Sequence, residues 1–171
     1  MQAACLVAFG IVVLASCAPG VPPADGKAQV AFNLSAYQKA AIGRKIWQNE
    51  CAGSVAGLTT WNPGEEFPSL GIGHFIWYPA GFKGRFNETL PQFVAFAKQQ
   101  GATPPAVGLE RHSPWQTKAE FQQDFSGPRL SGLRKWLAAN VPVQTDFIIA
   151  RSRAALPKIL EAAPASERAR I

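Results

Sequence analysis

The pattern of hydrophobic and polar positions predicts a long helix near the start of the folded part of the chain. Ile42 and Ile46 follow each other at a four-residue spacing, which places their side chains on one face of a helix. Ser35 is followed three residues later by Gln38, the capping-box pattern that begins many helices. We therefore predict a helix that begins at Ser35 and ends at about Cys51.

The pattern changes after this helix. Residues 58–78 are rich in β-branched and aromatic side chains and contain an Asn-Pro-Gly turn at 62–64, which predicts a hairpin or a small sheet. Helical spacings return beyond residue 79. The order of one helix, a small hairpin and then several helices predicts an α+β fold with its strands confined to one lobe.

The later helical part divides into four predicted segments. Thr89 opens one and Thr117 opens the next, in each case as the residue before the first turn. A third segment contains Leu130, and the last begins at about Thr145. Pro157 lies near the end of the last segment, where it must either kink the helix or start a new short one.

The N-terminus has the pattern of a targeting signal. Residues 1–16 contain no charged side chain, and the apolar run at 6–15 is too short to span a membrane but suits the core of a signal peptide. The run ends in Leu-Ala-Ser-Cys, with Cys17 last, which resembles the lipobox of bacterial lipoproteins. The resemblance implies cleavage before Cys17, acylation of its thiol, and a membrane anchor. An ordinary secretory signal that is cut elsewhere is the alternative.

The segment after Cys17 predicts a tether. Residues 17–33 are rich in Pro, Gly and Ala and cannot pack a core. We expect a domain at 34–165 and a polar tail at 166–171. Ala18 in place of Asp resembles the pattern for outer-membrane sorting, so we expect the domain to face the periplasm. No Lys or Arg precedes the apolar run, which suggests a start codon a few residues upstream.

Charge and cysteine content narrow the partners and the chemistry. The net charge of +6 lies wholly after Cys17 and suits anionic partners such as peptidoglycan peptides, lipid headgroups or wall polymers. No cluster of basic and aromatic residues indicates nucleic acid. Removal of the signal and acylation of Cys17 would leave Cys51 without a partner for a disulfide. The two histidines and Cys51 form no metal-binding spacing, so we expect neither a metal nor a cofactor.

Glu50 is the first candidate for chemistry. It continues the four-residue series of Ile42 and Ile46 into the last turn of the predicted helix, so its carboxylate is expected on the apolar face. A helix C-terminus and partial burial both favour the protonated form of a carboxyl group. A protonated carboxyl group near neutral pH is what general-acid cleavage of a glycosidic bond requires.

Two glycines and a histidine lie within the predicted hairpin, at Gly71, Gly73 and His74. Glycine inside a strand indicates a bend, a bulge or the close approach of a ligand. We predict that the strand lines a groove beside the preceding helix end, where a flat sugar ring would fit. Trp61 and Trp77 could stack on sugar there, although aromatic residues in such strands more often belong to the core.

These residues carry a family resemblance. Glu50 at a helix end, followed by Ser-Leu-Gly-Ile-Gly-His at 69–74, resembles phage-type lysozymes, whose hairpin carries Thr, two glycines separated by hydrophobic residues, and His. The resemblance covers residues 35–160 in architecture but only 50–75 in motif. It implies a lysozyme-like fold and cleavage of the β-1,4 glycan of peptidoglycan, as a muramidase or a lytic transglycosylase.

The resemblance also implies roles for individual residues. Glu50 matches the general acid, Ser69 stands where the family has the Thr that positions water, and residues 71–74 match the rest of the motif, with a structural role for the histidine. The family's Asp before the Thr is missing, and Glu65 and Glu66 occur instead. Either glutamate supplies the second carboxylate, or one acid suffices, as in goose-type lysozymes and lytic transglycosylases, or the protein does not cleave.

Two other readings remain open at this stage. A lysozyme-fold lipoprotein could bind glycan or a protein partner without cleaving anything, and a purely structural lipoprotein would have no concave site near Glu50. Nucleophilic catalysis by Cys51 with His74 is disfavoured, because Cys51 is expected in a buried turn.

Overall fold

The computed structural model describes residues 33–168. The predicted signal peptide, Cys17 and nearly all of the predicted tether lie outside the described residues, as do the last three residues of the predicted tail. None of the described helices is long and apolar enough to cross a membrane.

The described residues form a mainly helical α+β fold, as predicted. The helices are α1 (Ala36–Cys51), α2 (Leu90–Gln99), α3 (Lys118–Gln123), α4 (Pro128–Ala139) and α5 (Val141–Ala162). The strands are β1 (Thr59–Thr60), β2 (Ser69–Leu70) and β3 (Phe75–Ile76), and 3-10 turns cover Ala56–Leu58 and Ala106–Leu109.

Helix α1 has the predicted boundaries. The Ser35 hydroxyl accepts a hydrogen bond from the Gln38 N–H at 3.2 Å, and the Gln38 side-chain oxygen accepts one from the Ser35 N–H at 2.8 Å. This capping box satisfies amide groups that a helix N-terminus otherwise leaves unpaired. The helix ends after Cys51, where Ala52 adopts a left-handed conformation with a φ of 50°.

The three strands form one antiparallel sheet in the order β1-β2-β3. Thr60 pairs with Ser69, and Leu70 pairs with Phe75. The prediction that the glycines lie inside a strand is wrong, because residues 71–74 form the turn that joins β2 to β3. Strand β2 ends at Leu70 since Gly71 has a φ of +69°, a left-handed conformation that does not continue a strand.

The last helix differs from its prediction at both ends. It begins at Val141 rather than near Thr145, with Pro142 in the first turn, where the missing proline N–H costs no hydrogen bond. Pro157 lies inside the helix, which continues to Ala162. The alternative of a new short helix at Pro157 is therefore wrong, whereas a kink at Pro157 is compatible with one continuous helix.

One hydrophobic core holds the described domain together. Its buried members all lie between Cys51 and Phe147, so the described residues contain a core of their own. Helices α1 and α5 pack against each other, and Phe75 of β3 stacks on Phe93 of α2 at a centroid distance of 4.8 Å. These contacts fix the turn at 71–74 relative to the end of α1.

Candidate functional site

The turn at 71–74 is tied to three separate parts of the chain. The Gly71 N–H donates to the Leu58 carbonyl at 2.8 Å, and the Cys51 thiol donates to the Gly71 carbonyl at 3.7 Å. The Ile72 N–H donates to the side-chain oxygen of Gln144 at 2.8 Å. The turn is therefore held by α1, by the segment before β1 and by α5.

Gln144 is the residue that sequence reasoning missed. Its side chain is fully buried, and its amide nitrogen donates to the Leu137 carbonyl at 2.6 Å while its oxygen binds the turn. The sequence contained one signal for this buried side chain. Gln144 precedes Phe147 by three positions, which places it on the face of α5 that meets the core. A buried side-chain amide is stable where both its oxygen and its nitrogen have hydrogen-bond partners, as they do in Gln144.

The first glycine of the turn is required for two reasons. Gly71 has a left-handed backbone, and a Cβ atom there would collide with the Gln144 side-chain oxygen and would lie 3.1 Å from the Phe75 ring. At Gly73 a Cβ atom would lie 2.5 Å from the Phe75 ring and 3.1 Å from Ile148. Close packing against the protein itself, rather than approach of a ligand, therefore accounts for both glycines.

The turn places His74 opposite Glu50. His74 has a φ of 46°, and its Nδ1 lies 3.7 Å from Oε2 of Glu50. That separation is longer than a hydrogen bond, so the Glu50 carboxylate is not tied to the ring. The Glu50 side chain is 51% exposed and that of His74 is 31% exposed, which leaves the carboxylate accessible from solvent.

The imidazole of His74 has two different environments. Its Nε2 is buried and has no hydrogen-bond partner among the described residues, whereas Nδ1 faces Glu50. A buried N–H without a partner is unfavourable, so the tautomer with its proton on Nδ1 fits this site better. That tautomer directs an N–H at the Glu50 carboxylate.

Glu50 and His74 lie in an open groove of about 640 Å³, within the usual size of ligand sites. Glu50 is the sole carboxylate among the described residues that line it, and Arg151 is the sole arginine or lysine. The remaining lining residues combine hydroxyl groups with apolar side chains: Ile46, Ile72, Gly73, Phe75, Ile76, Thr89, Ile148, Ser152 and Ala155.

The other predicted catalytic residues lie elsewhere. Ser69 is 3% exposed in β2, and its hydroxyl donates to Oε2 of Glu65 at 3.3 Å. Asn62 donates to the same oxygen at 3.0 Å. Neither Ser69 nor Glu65 lines the groove, and the exposed Glu66 does not line it either. The structure therefore does not bring the predicted second carboxylate to Glu50.

The two predicted sugar-stacking residues are part of the core. Trp61 is 6% exposed, and its indole N–H donates to the Glu65 carbonyl at 2.7 Å. Trp77 is completely buried and meets Trp115 edge to face at a centroid distance of 6.1 Å. Of the five residues predicted to bind substrate, the structure brings only Gly73 and His74 to the groove; Gly71 lies beneath them, in the turn that supports them.

Cys51 does not have the environment of a nucleophile. Burial, reinforced by the negative charge of Glu50, raises the pKa of its thiol to about 11, so the thiolate is scarce at neutral pH. The described residues also contain no group of three or more His, Cys, Asp or Glu side chains that could hold a metal ion.

The chain was compared with models of protein families, with curated proteins and with solved structures, and none of them matches.

Proposed function

We propose that this protein is a lysozyme-like glycosidase of the bacterial cell envelope that cleaves the glycan strands of peptidoglycan, with Glu50 as the general acid. The observation that carries the proposal is a half-exposed carboxylate at the C-terminal end of α1, facing His74 in an open groove. The lysozyme-like character of the fold is part of the proposal. It is supported by the order of α1, the small sheet and the later helices.

The chemistry needs a proton donor at the glycosidic oxygen. Protonated Glu50 gives its proton to that oxygen as the bond from the anomeric carbon breaks, and the leaving sugar departs as an alcohol. A hydroxyl group of the same substrate sugar, or a water molecule, then attacks the anomeric carbon. The proton of the attacking group returns to the Glu50 carboxylate, which restores the acid.

The single carboxylate in the groove favours the transglycosylase form of this reaction. Inverting glycosidases place a second carboxylate about 6.5–9.5 Å from the acid in order to activate water, and no second carboxylate lines this groove among the described residues. Attack by a hydroxyl group of the substrate needs no such residue, because Glu50 serves first as acid and then as base. We therefore propose an anhydro-sugar product.

The remaining groove residues have supporting roles in this proposal. His74 directs its Nδ1 toward the Glu50 carboxylate, which lies 3.7 Å away. The Ser152 hydroxyl donates to the Ile148 carbonyl at 3.0 Å, so it can accept a hydrogen bond from a sugar hydroxyl, to which the Arg151 guanidinium can donate. Ile72 and Ile148 offer apolar contacts to the faces of the sugar rings. The cell-envelope location rests on the lipobox-like sequence ending at Cys17, which would anchor the domain in the outer membrane, facing the periplasm.

A second candidate is glycan binding without cleavage. It is favoured by the same observation, the absence of a second carboxylate from the described lining of the groove. In that case the groove would hold the sugar chain, and replacement of Glu50 would change affinity without any effect on products.

The experiment is digestion of purified peptidoglycan by a fragment of residues 27–171, with the products identified by mass spectrometry. The fragment retains the whole described core. We expect anhydro-muropeptides from the wild type and none from Glu50→Gln. Reducing-end products would identify a hydrolase instead. No release by a folded wild type that still binds glycan would overturn cleavage in favour of binding.

A further inference from the structure

A second surface of the domain carries exposed aromatic side chains among basic ones. We call residues 80–87 the aromatic-basic loop; it follows β3 and contains Phe82, Lys83, Arg85 and Phe86. The two phenylalanines are 37% and 48% exposed, in that order, and both basic side chains are exposed. Large exposed apolar side chains that occur together often mark an interaction surface.

The loop is pinned to the fold beneath it. The Tyr78 hydroxyl donates to the Phe86 carbonyl at 2.9 Å and accepts from the Phe86 N–H at 3.2 Å. The Phe82 ring packs against Tyr78 and Phe67, with centroid distances of 5.2 and 6.4 Å. Gly84 allows this arrangement, because a Cβ atom there would collide with the Tyr78 ring and hydroxyl. The exposure of Phe86 is thus built into the fold.

The charges around the loop are predominantly positive. The Arg85 guanidinium lies 4.6 Å from the centre of the Phe86 ring. The nearest acid along the chain, Glu88, turns inward, and its carboxylate accepts the Tyr78 N–H at 2.7 Å. Glu66, next to Phe67, is the exposed acid on the neighbouring segment. Lys83 and Arg85 therefore dominate the outer side of the loop.

We infer that the aromatic-basic loop binds the surface of an anionic lipid membrane. The cations suit the phosphate groups of the lipids, and the phenylalanine rings, which have no polar group of their own, gain free energy by entering the boundary between headgroups and acyl chains. A soluble polyanion would use the cations but would leave both rings in water. The inference does not depend on the activity of the groove, because none of the loop residues lines it.

The test is co-sedimentation of the 27–171 fragment with vesicles. One set of vesicles contains phosphatidylglycerol and phosphatidylcholine in equal parts, and the other contains phosphatidylcholine alone. We expect binding to the first set and not to the second. Phe86→Ser is expected to weaken binding about tenfold through lost apolar burial, and Lys83→Gln and Arg85→Gln about fivefold each.

Matched controls come from elsewhere on the surface. Tyr37 and Leu109 are also exposed, at 77% and 55%, and Lys98 is an exposed cation in the last turn of α2. Tyr37→Ser, Leu109→Ser and Lys98→Gln should leave vesicle binding unchanged. Circular dichroism and thermal unfolding establish that each variant is folded, and Phe86→Ser is preferred because the Phe86 side chain is the more exposed of the two.

Three results would overturn the inference. The first is no binding of the wild type to the anionic vesicles. The second is equal weakening by Phe86→Ser and by the control variants. The third is binding that depends on Lys83 and Arg85 but not on Phe86, with equal affinity for soluble polyphosphate, since this would identify a polyanion site rather than a lipid site.

Discussion

The carboxylates of Glu50 and Glu65 lie beside opposite ends of strand β2 and have different surroundings. At the C-terminal end of β2 the turn at 71–74 is held by buried contacts. Among the described residues, the one polar partner recorded for the Glu50 carboxylate is Nδ1 of His74, at 3.7 Å. At the N-terminal end of β2 the Glu65 carboxylate accepts hydrogen bonds from Asn62 and Ser69 at 3.0 and 3.3 Å. The Glu50 carboxylate is therefore accessible to a ligand, whereas the Glu65 carboxylate is hydrogen-bonded to its neighbours.

These different surroundings suit Glu50 to a chemical role and Glu65 to a structural one. A carboxylate with one oxygen that accepts two hydrogen bonds from neighbouring side chains, as Oε2 of Glu65 does, stabilises the local fold and is less suited to exchange protons with a substrate. A half-exposed carboxylate in a groove can exchange them, provided that the surroundings keep its position fixed. The buried contacts of Gln144 and Gly71 fix the turn that places His74 opposite Glu50.

The largest effect on stability is expected from alanine at Gly71, one of the five described glycines with a positive φ. Gly71→Ala should lower the free energy of unfolding by about 3–4 kcal/mol, because backbone strain is joined by collision with Gln144. Gly64→Ala, with a φ of +78° and open space around it, should cost only about 1 kcal/mol. Urea unfolding of both variants measures the contrast. Equal losses would mean that the turn at 71–74 is no more constrained than the turn at 64.

The next effect tests the link from α5 to the turn. Gln144→Leu removes the partners of the Ile72 N–H and the Leu137 carbonyl, so we expect a loss of about 3 kcal/mol in the free energy of unfolding. Gln122→Leu on the exposed side of α3 is the control, with a change below about 0.5 kcal/mol. Hydrogen exchange at the Ile72 amide should accelerate in the first variant alone; continued protection there would contradict the proposed link.

The stability of the folded protein is expected to depend on pH through the Cys51 thiol, which lies next to Glu50. Its pKa in the folded state is about 11 against an ordinary value of 9.0, with burial as the main cause. Above pH 9 the unfolded chain releases this proton while the folded chain keeps it, so the folded state loses relative stability as pH rises from 9 to 11. Below pH 9 both the folded and the unfolded chain hold the proton, so this thiol does not make the stability change with pH.

Comparison with Cys51→Ala isolates that contribution. The difference in free energy of unfolding between the wild type and this variant should shrink as pH rises from 9 to 11, as measured by urea unfolding at several pH values. A difference that stays constant over that range would show that the thiol has its ordinary pKa in the folded protein.

The smallest effect on stability is expected from a change beside Glu65, before strand β2. Asn62→Ala removes one hydrogen bond to a partly exposed carboxylate, so we expect a loss of about 1 kcal/mol in stability and no change in glycan release. Asn87→Ala, at an exposed position, serves as the control. A loss of glycan release in folded Asn62→Ala would assign this end of β2 to the chemistry.

The sequence predicted the helices better than the site. The boundaries of α1 followed from its spacing and from the Ser35 capping box, both of which are local features. The sequence predicts a strand at 71–74 where the structure has a turn. Gly71 in that turn has a left-handed conformation and packs against Gln144, which is distant along the chain. Local patterns carry no information about such a contact.

The reliance on local patterns also explains which residues of the candidate site could be predicted. Glu50 and His74 could be predicted as neighbours because a helix end and the following hairpin lie close together along the chain. The placement of Ser69 and Glu65 could not, since a strand of two residues gives no alternation from which to infer the face on which each side chain lies. Trp61 and Trp77 fit either core or groove by composition, and only the packing places them in the core.

The most direct test of the account is to measure peptidoglycan cleavage by Glu50→Gln and Glu65→Gln under the same conditions, after unfolding experiments have established that both are folded. Glu50→Gln should lower the rate of muropeptide release at least about a hundredfold, as expected for loss of a general acid. Glu65→Gln should keep the rate within about twofold, as expected for a change outside the site. Loss of release in Glu65→Gln with activity retained in Glu50→Gln would contradict the assignment of the acid to Glu50.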